Sequence, residues 1–228
     1  MNFLRIAIAS IGLIVSLSVN ARVDLSASRL NKLSGDKGSF YDTKSKWDQR
    51  YNKRNYVYGK QPAKFLAENY SYISAESKIL DMGMGEGRNA VFLAQKGHKV
   101  TGIDISSIAV KKSQNLAKEL NVKIKTIVGT LSKYPLEPKS FDAIICFYYV
   151  DRSLNEKIQK WLKPGGILIY EAYTLEEYKR QKGGKINYYL KEKELLSMFP
   201  KMRILKYEEP IHENEYRASI ILKKVGDK

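Results

Sequence analysis

Apolar residues between positions 78 and 222 fall into short runs separated by longer amphipathic stretches. The runs at 78–82, 99–103 and 141–147 have the length of strands, and each ends in a polar or glycine-containing turn. The stretches between them place apolar residues three or four positions apart, which is typical of a helix with one buried face. This alternation of strand and helix predicts a doubly wound α/β sheet with helices on both of its faces.

Four further strands complete a mostly parallel, seven-stranded sheet. They are predicted at 122–128, 167–170, 202–208 and 216–222. The last two are close enough in sequence to pair as a C-terminal antiparallel hairpin. Lysine alternates with apolar residues at 122–128, so this strand is expected near the sheet edge, whereas the continuous apolar run at 141–147 is expected in the centre.

The turn after the first strand indicates a ligand site. It has the sequence DMGMGEGRN, with glycine at every second position: Gly83, Gly85 and Gly87. Glycine adopts positive φ without strain and lets a ligand approach the backbone, and the helix that follows offers unpaired N–H groups at its positive end. The second strand ends in Asp104, at the position where α/β sheets hold ribose hydroxyls. Together these features predict a nucleoside-binding cleft.

The spacing and charge of this turn narrow the choice of nucleoside. A dinucleotide site uses G-x-G-x-x-G with a neutral turn beneath the pyrophosphate. Here the spacing is G-x-G-x-G, and the turn carries two carboxylates, Asp81 and Glu86. Carboxylates repel a diphosphate and suit a cationic ligand without phosphates, such as the sulfonium and ammonium of S-adenosylmethionine (SAM). A nicotinamide-dependent oxidoreductase is therefore the less favoured alternative.

An acid followed by G-x-G-x-G resembles the first motif of the class I (Rossmann-like) SAM-dependent methyltransferases. The resemblance covers roughly residues 47–223 and includes K-P-G-G before the fifth strand. More narrowly, the chain is similar to the tellurite-resistance/thiopurine-type branch in its segments WDQRY, YVYG, GHKVTGID, IYEAYT and NYYLKEKELL. This family implies SAM as cofactor, a reversed seventh strand and transfer of a methyl group to a small molecule. A SAM- or S-adenosylhomocysteine (SAH)-binding protein without catalysis is a further alternative.

The predicted cofactor site gathers residues from one edge of the sheet. From the glycine turn and the second strand come Asp81, Gly83, Gly85, Gly87, Arg88, Asn89, Asp104 and Ile105. The resemblance adds Thr130, Leu131 and Phe147 after the third strand and at the end of the fourth, and Trp47, Arg50 and Tyr58 from the opening segment. One departure is Gly129-Thr130, where the family often has an acid that holds the adenine amine.

Methyl transfer from SAM depends on positioning and a dry pocket more than on acid–base groups. Two residues are nevertheless candidates for a catalytic role. Tyr148 follows the fourth strand and offers a ring face to a sulfonium, and Glu171 ends the fifth strand, where it could orient an acceptor or act as a base. Arg50, Arg88 and Arg152 could hold the methionyl carboxylate or an anionic acceptor. No metal site is expected.

The chain carries a formal net charge of +16, from 40 basic and 24 acidic residues. Its lysines are scattered and form no nucleic-acid-binding motif, so no nucleic-acid partner is expected. A weak attraction to anionic membrane surfaces is consistent with this charge. Short segments after the fourth and fifth strands favour a small-molecule substrate, and we expect a monomer.

The first 21 residues resemble a secretory signal peptide. One basic residue precedes the apolar run at 6–19, and Val19-Asn20-Ala21 places small residues at a cleavage site. We therefore predict a signal peptide at 1–21, a flexible polar arm at 22–45 and the methyltransferase domain at 46–228. The protein is expected to be periplasmic or secreted, or membrane-anchored if the signal is not cleaved. Because SAM is made in the cytosol, export leaves the supply of cofactor unexplained.

Overall fold

The computed structural model of the protein describes residues 40–181, 185–210 and 216–226. Contacts divide the chain into two units, Met1–Thr43 and Lys44–Lys228, and the second contains the sheet. The predicted signal peptide and the arm as far as residue 39 lie outside the described residues. Among the described residues the first helix is α1 (Phe40–Tyr51), which begins within the predicted arm.

Seven strands among the described residues form a single sheet. They are β1 (Lys78–Met82), β2 (Lys99–Asp104), β3 (Lys125–Val128), β4 (Phe141–Phe147), β5 (Leu162–Tyr173), β6 (Met202–Glu208) and β7 (Arg217–Lys224). Their order is β3-β2-β1-β4-β5-β7-β6. The first five strands pair in parallel, and β7 pairs antiparallel with both β5 and β6. This confirms the predicted doubly wound, mostly parallel sheet with its C-terminal antiparallel pair.

Helices pack on both faces of this sheet. After α1 they are α2 (Lys64–Asn69), α3 (Arg88–Gln95), α4 (Ser107–Glu119), α5 (Asn155–Trp161), α6 (Leu175–Gln181) and α7 (Glu194–Met198). Successive strand side chains point to opposite faces. Ile79 therefore joins the apolar cluster that includes Leu66 and Leu93 of α2 and α3, while Leu80 joins the cluster that includes Ile158 of α5. The glycine turn thus lies between two packed layers.

Some predicted boundaries were wrong. The fifth strand begins at Leu162 and contains the K-P-G-G segment, which the sequence predicted as a break. Phe141 pairs with Leu162 and Ala143 with Ile167, so the strand bulges around the segment and then resumes its register. Among the described residues the last helix, α7, begins at Glu194, and Leu190 before it is held in a parallel bridge with Thr174.

The turn between α3 and β2 contains a buried histidine. His98 is only 6% exposed, and its Nδ1 has no hydrogen-bond partner among the described residues. Burial lowers the pKa of this imidazole, so it is held in its neutral form. Leu120 follows the end of α4 and is exposed. Within the described ranges, no helix is both long enough and apolar enough to cross a lipid bilayer.

Candidate active site

The glycine turn joins β1 to α3 at the carboxyl edge of the sheet. Gly83, Gly85 and Gly87 have φ of 65°, 55° and 84°, values that side-chain-bearing residues rarely adopt. The N–H of Gly83 donates to the carbonyl of Ile103 at 2.9 Å, which fastens the turn to β2. A Cβ on Gly87 would lie 2.5 Å from the Cβ of Ser113 in α4, so the close packing of α3 against α4 depends on this glycine.

Asp104, the predicted ribose ligand, holds the glycine turn in place. Its carboxylate accepts hydrogen bonds from the N–H of Gly85 and from the N–H of Ser106, each at 2.8 Å. Burial raises the pKa of this carboxyl, against the lowering effect of the two hydrogen bonds. A carboxylate oxygen can accept more than one hydrogen bond. Asp104 can therefore hold the glycine turn and still accept a hydrogen bond from a ribose hydroxyl.

Asp81 is the buried carboxylate at the base of the turn. It is 2% exposed, and its Oδ2 has no hydrogen-bond partner among the described residues. Burial and, second, the charge of Asp104 raise its pKa to about 7, while Arg88 acts in the opposite direction. A buried carboxylate oxygen without a partner is costly, and an ammonium group would satisfy it. The site therefore fits a cationic ligand without phosphates.

Glu86, the second acid of the turn, is not available to a ligand. Its Oε1 lies 2.6 Å from Nζ of Lys112, and its Oε2 accepts a hydrogen bond from the N–H of Val57 at 2.7 Å. Lys112 Nζ also donates to the carbonyls of Tyr51 and Asn55. The expectation that both acids of the turn favour a cationic ligand was wrong for Glu86, which instead ties the segment 51–57 to the turn.

The opening segment covers the glycine turn. A Cβ on Gly85 would lie 2.9 Å from the hydroxyl of Tyr51, and the ring of Trp47 stacks on Tyr51 with centroids 5.7 Å apart. Arg50 Nε donates to the hydroxyl of Tyr58 at 2.7 Å. The structure thus places Trp47, Arg50 and Tyr58 on one segment beside the turn, as the resemblance implied.

Asp48 is a site residue that sequence reasoning missed. Its Oδ1 accepts a hydrogen bond from the hydroxyl of Ser106 at 2.6 Å and a longer one from the N–H of Ile108. Ser106, the N-cap of α4, accepts a hydrogen bond from the N–H of Ala109 at 3.1 Å. An acid in an amphipathic helix gives no sign of such a partner, which lies almost sixty residues further along the chain.

Replacing Lys112 with methionine should destabilise the domain by about 3–5 kcal/mol, because it leaves the buried carboxylate of Glu86 without its charge partner. Urea unfolding measures this loss. The double variant Glu86→Gln/Lys112→Met should recover much of it.

The matched control is Lys60→Met, which breaks the ion pair of Lys60 with Glu119 at side chains that are 42% and 50% exposed. That change should leave the free energy of unfolding almost unchanged, because exposed ion pairs contribute little to stability. Equal losses in the two lysine variants would contradict a structural role for the Glu86–Lys112 pair.

Tyr148 and Glu171, the two predicted catalytic residues, are in direct contact. The Tyr148 hydroxyl donates to Oε1 of Glu171 at 2.7 Å, and the hydroxyl of Ser219 donates to Oε2 at 2.7 Å. Tyr148 has φ of 58°, a strained value for an aromatic residue. Burial and the adjacent Glu171 raise the pKa of Tyr148 well above its usual value, so its phenol stays protonated. The guanidinium of Arg88 lies 5.7 Å from the centroid of the Tyr148 ring.

The ends of β2 and β3 bring the predicted adenine residues together. The N–H of Gly129 donates to the carbonyl of Asp104 at 2.9 Å, which sets Thr130 and Leu131 beside Ile105. Leu131 is buried, and the hydroxyl of Thr130 is buried without a hydrogen-bond partner in the described part of the chain. This second unpaired polar atom lies where the family often has an acid.

Three other predicted residues have structural contacts. Asn89 is buried, and its Oδ1 accepts a hydrogen bond from the N–H of Ala63 at 2.9 Å, which joins α3 to the start of α2. Phe147 is buried in the cluster beneath α2 and α3. Arg152, considered as an anion ligand, is instead paired with Glu194 through its Nε at 2.5 Å.

Comparison with known proteins finds similarity over part of the chain. Residues 79–166 match a family described as "Methyltransferase domain". A ubiquinone biosynthesis O-methyltransferase from Rickettsia akari (strain Hartford) is 30% identical over 109 residues, which are 46% of this chain and 43% of the relative. The chain therefore spans less than half the length of this curated relative. The glycine turn, Asp81 and Asp104 all fall within the matched segment.

Solved structures share the fold. A SAM-dependent methyltransferase from Methanosarcina mazei has a TM-score of 0.59 at 22% identity, covering 73% of this chain and 100% of that chain. A geranyl diphosphate C-methyltransferase from Streptomyces coelicolor A3(2), solved with SAH, Mg2+ and geranyl diphosphate, has a TM-score of 0.58 at 13% identity, covering 71% and 80%. At these identities the likeness shows the Rossmann-like methyltransferase fold.

Proposed function

We propose that this protein is a SAM-dependent methyltransferase that acts on a small molecule. The observation that carries the proposal is the unpaired Oδ2 of Asp81, buried beneath a G-x-G-x-G turn in a segment that matches a methyltransferase domain. When bound, SAM supplies a methyl group on a sulfonium, whose bonding electron pair remains on sulfur after transfer.

Each residue of the cleft recognises a different part of the cofactor. Asp81 accepts from the ammonium of the methionyl group, and Asp104 accepts from the ribose hydroxyls. Thr130 offers its unpaired hydroxyl to the adenine, beside the apolar surface of Leu131 and Ile105. Tyr51 and Trp47 lie over the glycine turn and exclude water from it. Exclusion of water strengthens the electrostatic interactions inside the site.

A nicotinamide-dependent oxidoreductase is a less favoured interpretation of the same fold. Its dinucleotide would place a diphosphate on the turn, next to the buried carboxyl of Asp81. Proteins of that type use a neutral turn with G-x-G-x-x-G spacing. The family match of residues 79–166 also favours methyl transfer over hydride transfer.

Several finer features form part of the proposal. The tellurite-resistance/thiopurine-type branch is supported by the segments quoted above, and a small acceptor by the short connections after β4 and β5. β4 is followed within a few residues by the 3-10 turn Arg152–Leu154, and β5 leads almost directly into α6. We further propose a monomer whose net charge of +16 gives weak affinity for anionic membrane surfaces.

Export belongs to the proposal as well. The division into a signal peptide (1–21), a polar arm (22–45) and a methyltransferase domain (46–228) is supported by the apolar run at 6–19 and the small residues before Arg22. N-terminal sequencing of the mature protein tests this division.

Calorimetric titration of the protein tests the proposed function. We expect saturable binding of SAM and SAH and no binding of NAD. Binding of NAD in place of SAM would overturn the proposal in favour of an oxidoreductase. Tight binding of SAM and SAH without methylation of any thiol, selenol, phenol or quinone would indicate a binding protein that has lost catalysis.

A further inference from the structure

The acceptor site can be located from the sheet order. In the order β2-β1-β4-β5 the cofactor residues lie on β1 and β2, so the carboxyl ends of β4 and β5 remain to face the acceptor. Tyr148 follows β4 and Glu171 lies near the end of β5. The N–H of Tyr148 donates to the carbonyl of Glu171 at 2.8 Å, which holds the two residues at this edge.

Two guanidinium groups lie beside this edge without a carboxylate partner. Arg88 Nη1 donates to the carbonyl of Tyr58 at 3.2 Å and its guanidinium lies over the Tyr148 ring, while the Arg50 guanidinium lies 5.3 Å from the centroid of the Tyr58 ring. Among the described residues, neither arginine forms a salt bridge. We call these four residues (Arg50, Tyr58, Arg88 and Tyr148) the arginine–tyrosine cluster.

Among the described residues of this edge, neither predicted catalytic residue is available as a general base. Glu171 is 1% exposed, and Tyr148 and Ser219 enclose its two oxygens, so an acceptor has no access to its carboxylate. Tyr148 stays protonated, and it is also hydrogen-bonded by Arg217 of β7. The other acids near the cluster, Asp81 and Asp104, lie on the cofactor side of the glycine turn. Neither predicted catalytic residue can therefore take a proton from an acceptor.

We propose that the acceptor reacts as a preformed anion, a thiolate or phenolate, and that the arginine–tyrosine cluster binds it and holds it ionised. This inference rests on the proposed function. A guanidinium cannot give up its proton, and an opposite charge within about 4–6 Å lowers the pKa of an acid by about 1–3 units. The rings of Tyr58 and Tyr148 bound the apolar body of the acceptor.

The step balances without a base. The acceptor loses its proton to solvent before transfer, its lone pair forms the bond to the methyl carbon, and the bond between that carbon and sulfur breaks with its electron pair left on sulfur. The negative charge of the acceptor and the positive charge of the sulfonium are both lost in the transfer. Amine acceptors are disfavoured. The ring faces of Tyr58 and Tyr148 would attract a cation, but the two guanidiniums already lie over these faces and would repel it.

The test uses 4-nitrophenol, whose ionised form has its own absorbance band, with protein saturated by SAH so that no transfer takes place. Titration should show that the pKa of the bound phenol is about 1–2 units below that of the free phenol. Arg50→Gln should abolish most of this shift, and Arg50→Lys should restore part of it. Lys53→Gln, which removes an exposed positive charge from the same segment, should leave the shift unchanged.

Two further probes separate charge from shape. 4-Nitroanisole, which cannot ionise, and 4-nitrobenzylamine, which is a cation, should each bind at least tenfold more weakly than 4-nitrophenol. Failure of 4-nitrophenol to bind, an unshifted pKa, or tighter binding of the amine would overturn the inference.

Calorimetry with SAM separates this inference from the proposed function. Unchanged SAM affinity in Arg50→Gln supports the assignment of the arginine to the acceptor, whereas a large loss would assign it to the methionyl carboxylate and overturn the inference. If the unaltered protein does not bind SAM, the proposed function fails, whatever the phenol titration shows.

Discussion

Gly85→Val should abolish the binding of SAM while the domain remains folded. At φ of 55° a β-branched residue is strained, and positions of this kind cost about 1–3 kcal/mol each. The added side chain would press on the hydroxyl of Tyr51, the far end of a side chain that can move, so the core is spared. The turn itself would shift, and with it the hydrogen bond from Gly85 to Asp104. Calorimetry with SAM and thermal unfolding measure the two effects.

Two other glycines serve as controls for this prediction. Gly97 has φ of 87° and no atom within 4 Å of an added Cβ, so Gly97→Val introduces comparable strain away from the cleft and should leave SAM binding intact. Gly87→Ala brings a Cβ within 3.0 Å of the backbone of Ser113 and should destabilise the fold instead. Retained affinity in Gly85→Val, or an equal loss in Gly97→Val, would show that the turn is not the binding site.

Asp81→Asn should stabilise the ligand-free protein above pH 7 and should weaken SAM binding at least tenfold. Burial raises the pKa of this carboxyl from 3.8 to about 7 in the folded protein. The folded state then holds a proton that the unfolded state has released, so its stability falls as pH rises from about 4 to about 7. Asparagine carries no charge and removes this loss, which is worth roughly 2–4 kcal/mol. Urea unfolding at pH 5 and pH 8, with calorimetry, measures both changes.

Asp142→Asn provides a control of opposite sign. Burial raises the pKa of Asp142, but the hydrogen bonds from Lys163 at 2.6 Å and from the N–H of Lys78, with the charges of both lysines, together lower it below its usual value. Its contribution to stability is present above the unfolded pKa and is lost as pH falls, so the substitution should destabilise slightly at pH 8 and leave SAM binding unchanged. If Asp81→Asn behaves like Asp142→Asn, the unpaired oxygen is not the ammonium site.

The parts of the fold that local patterns determine were predictable. Strands at 78–82 and 141–147 coincide with β1 and β4, because continuous apolar runs bounded by turn residues have few other solutions. The positive φ of the three turn glycines follows from their spacing. The helix α6 was missed because its sequence, LEEYKRQ, is mostly polar and has little apolar periodicity.

Contacts between distant residues were not predictable. In the sequence, Glu86 cannot be distinguished from an acid that faces a ligand. Its ion pair with Lys112, which lies in the next helix along the chain, is seen only in the structure. Arg152 was considered as an anion ligand until the structure placed Glu194 beside it. Tyr148 adopts a left-handed backbone conformation, which the sequence does not indicate because the residue is neither glycine nor asparagine. The surrounding contacts impose this strained conformation.

The position of β7 has a consequence for the synthesis of the protein. The seventh strand is the last to leave the ribosome, yet it lies inside the sheet, between β5 and β6. A nascent chain that stops before Arg217 leaves the long strand β5 with an open edge of unpaired N–H and carbonyl groups. Open edges of this kind invite pairing with other chains. Premature termination or C-terminal proteolysis should therefore yield aggregation-prone fragments, and chaperones would have to shield that edge until translation of β7 is complete.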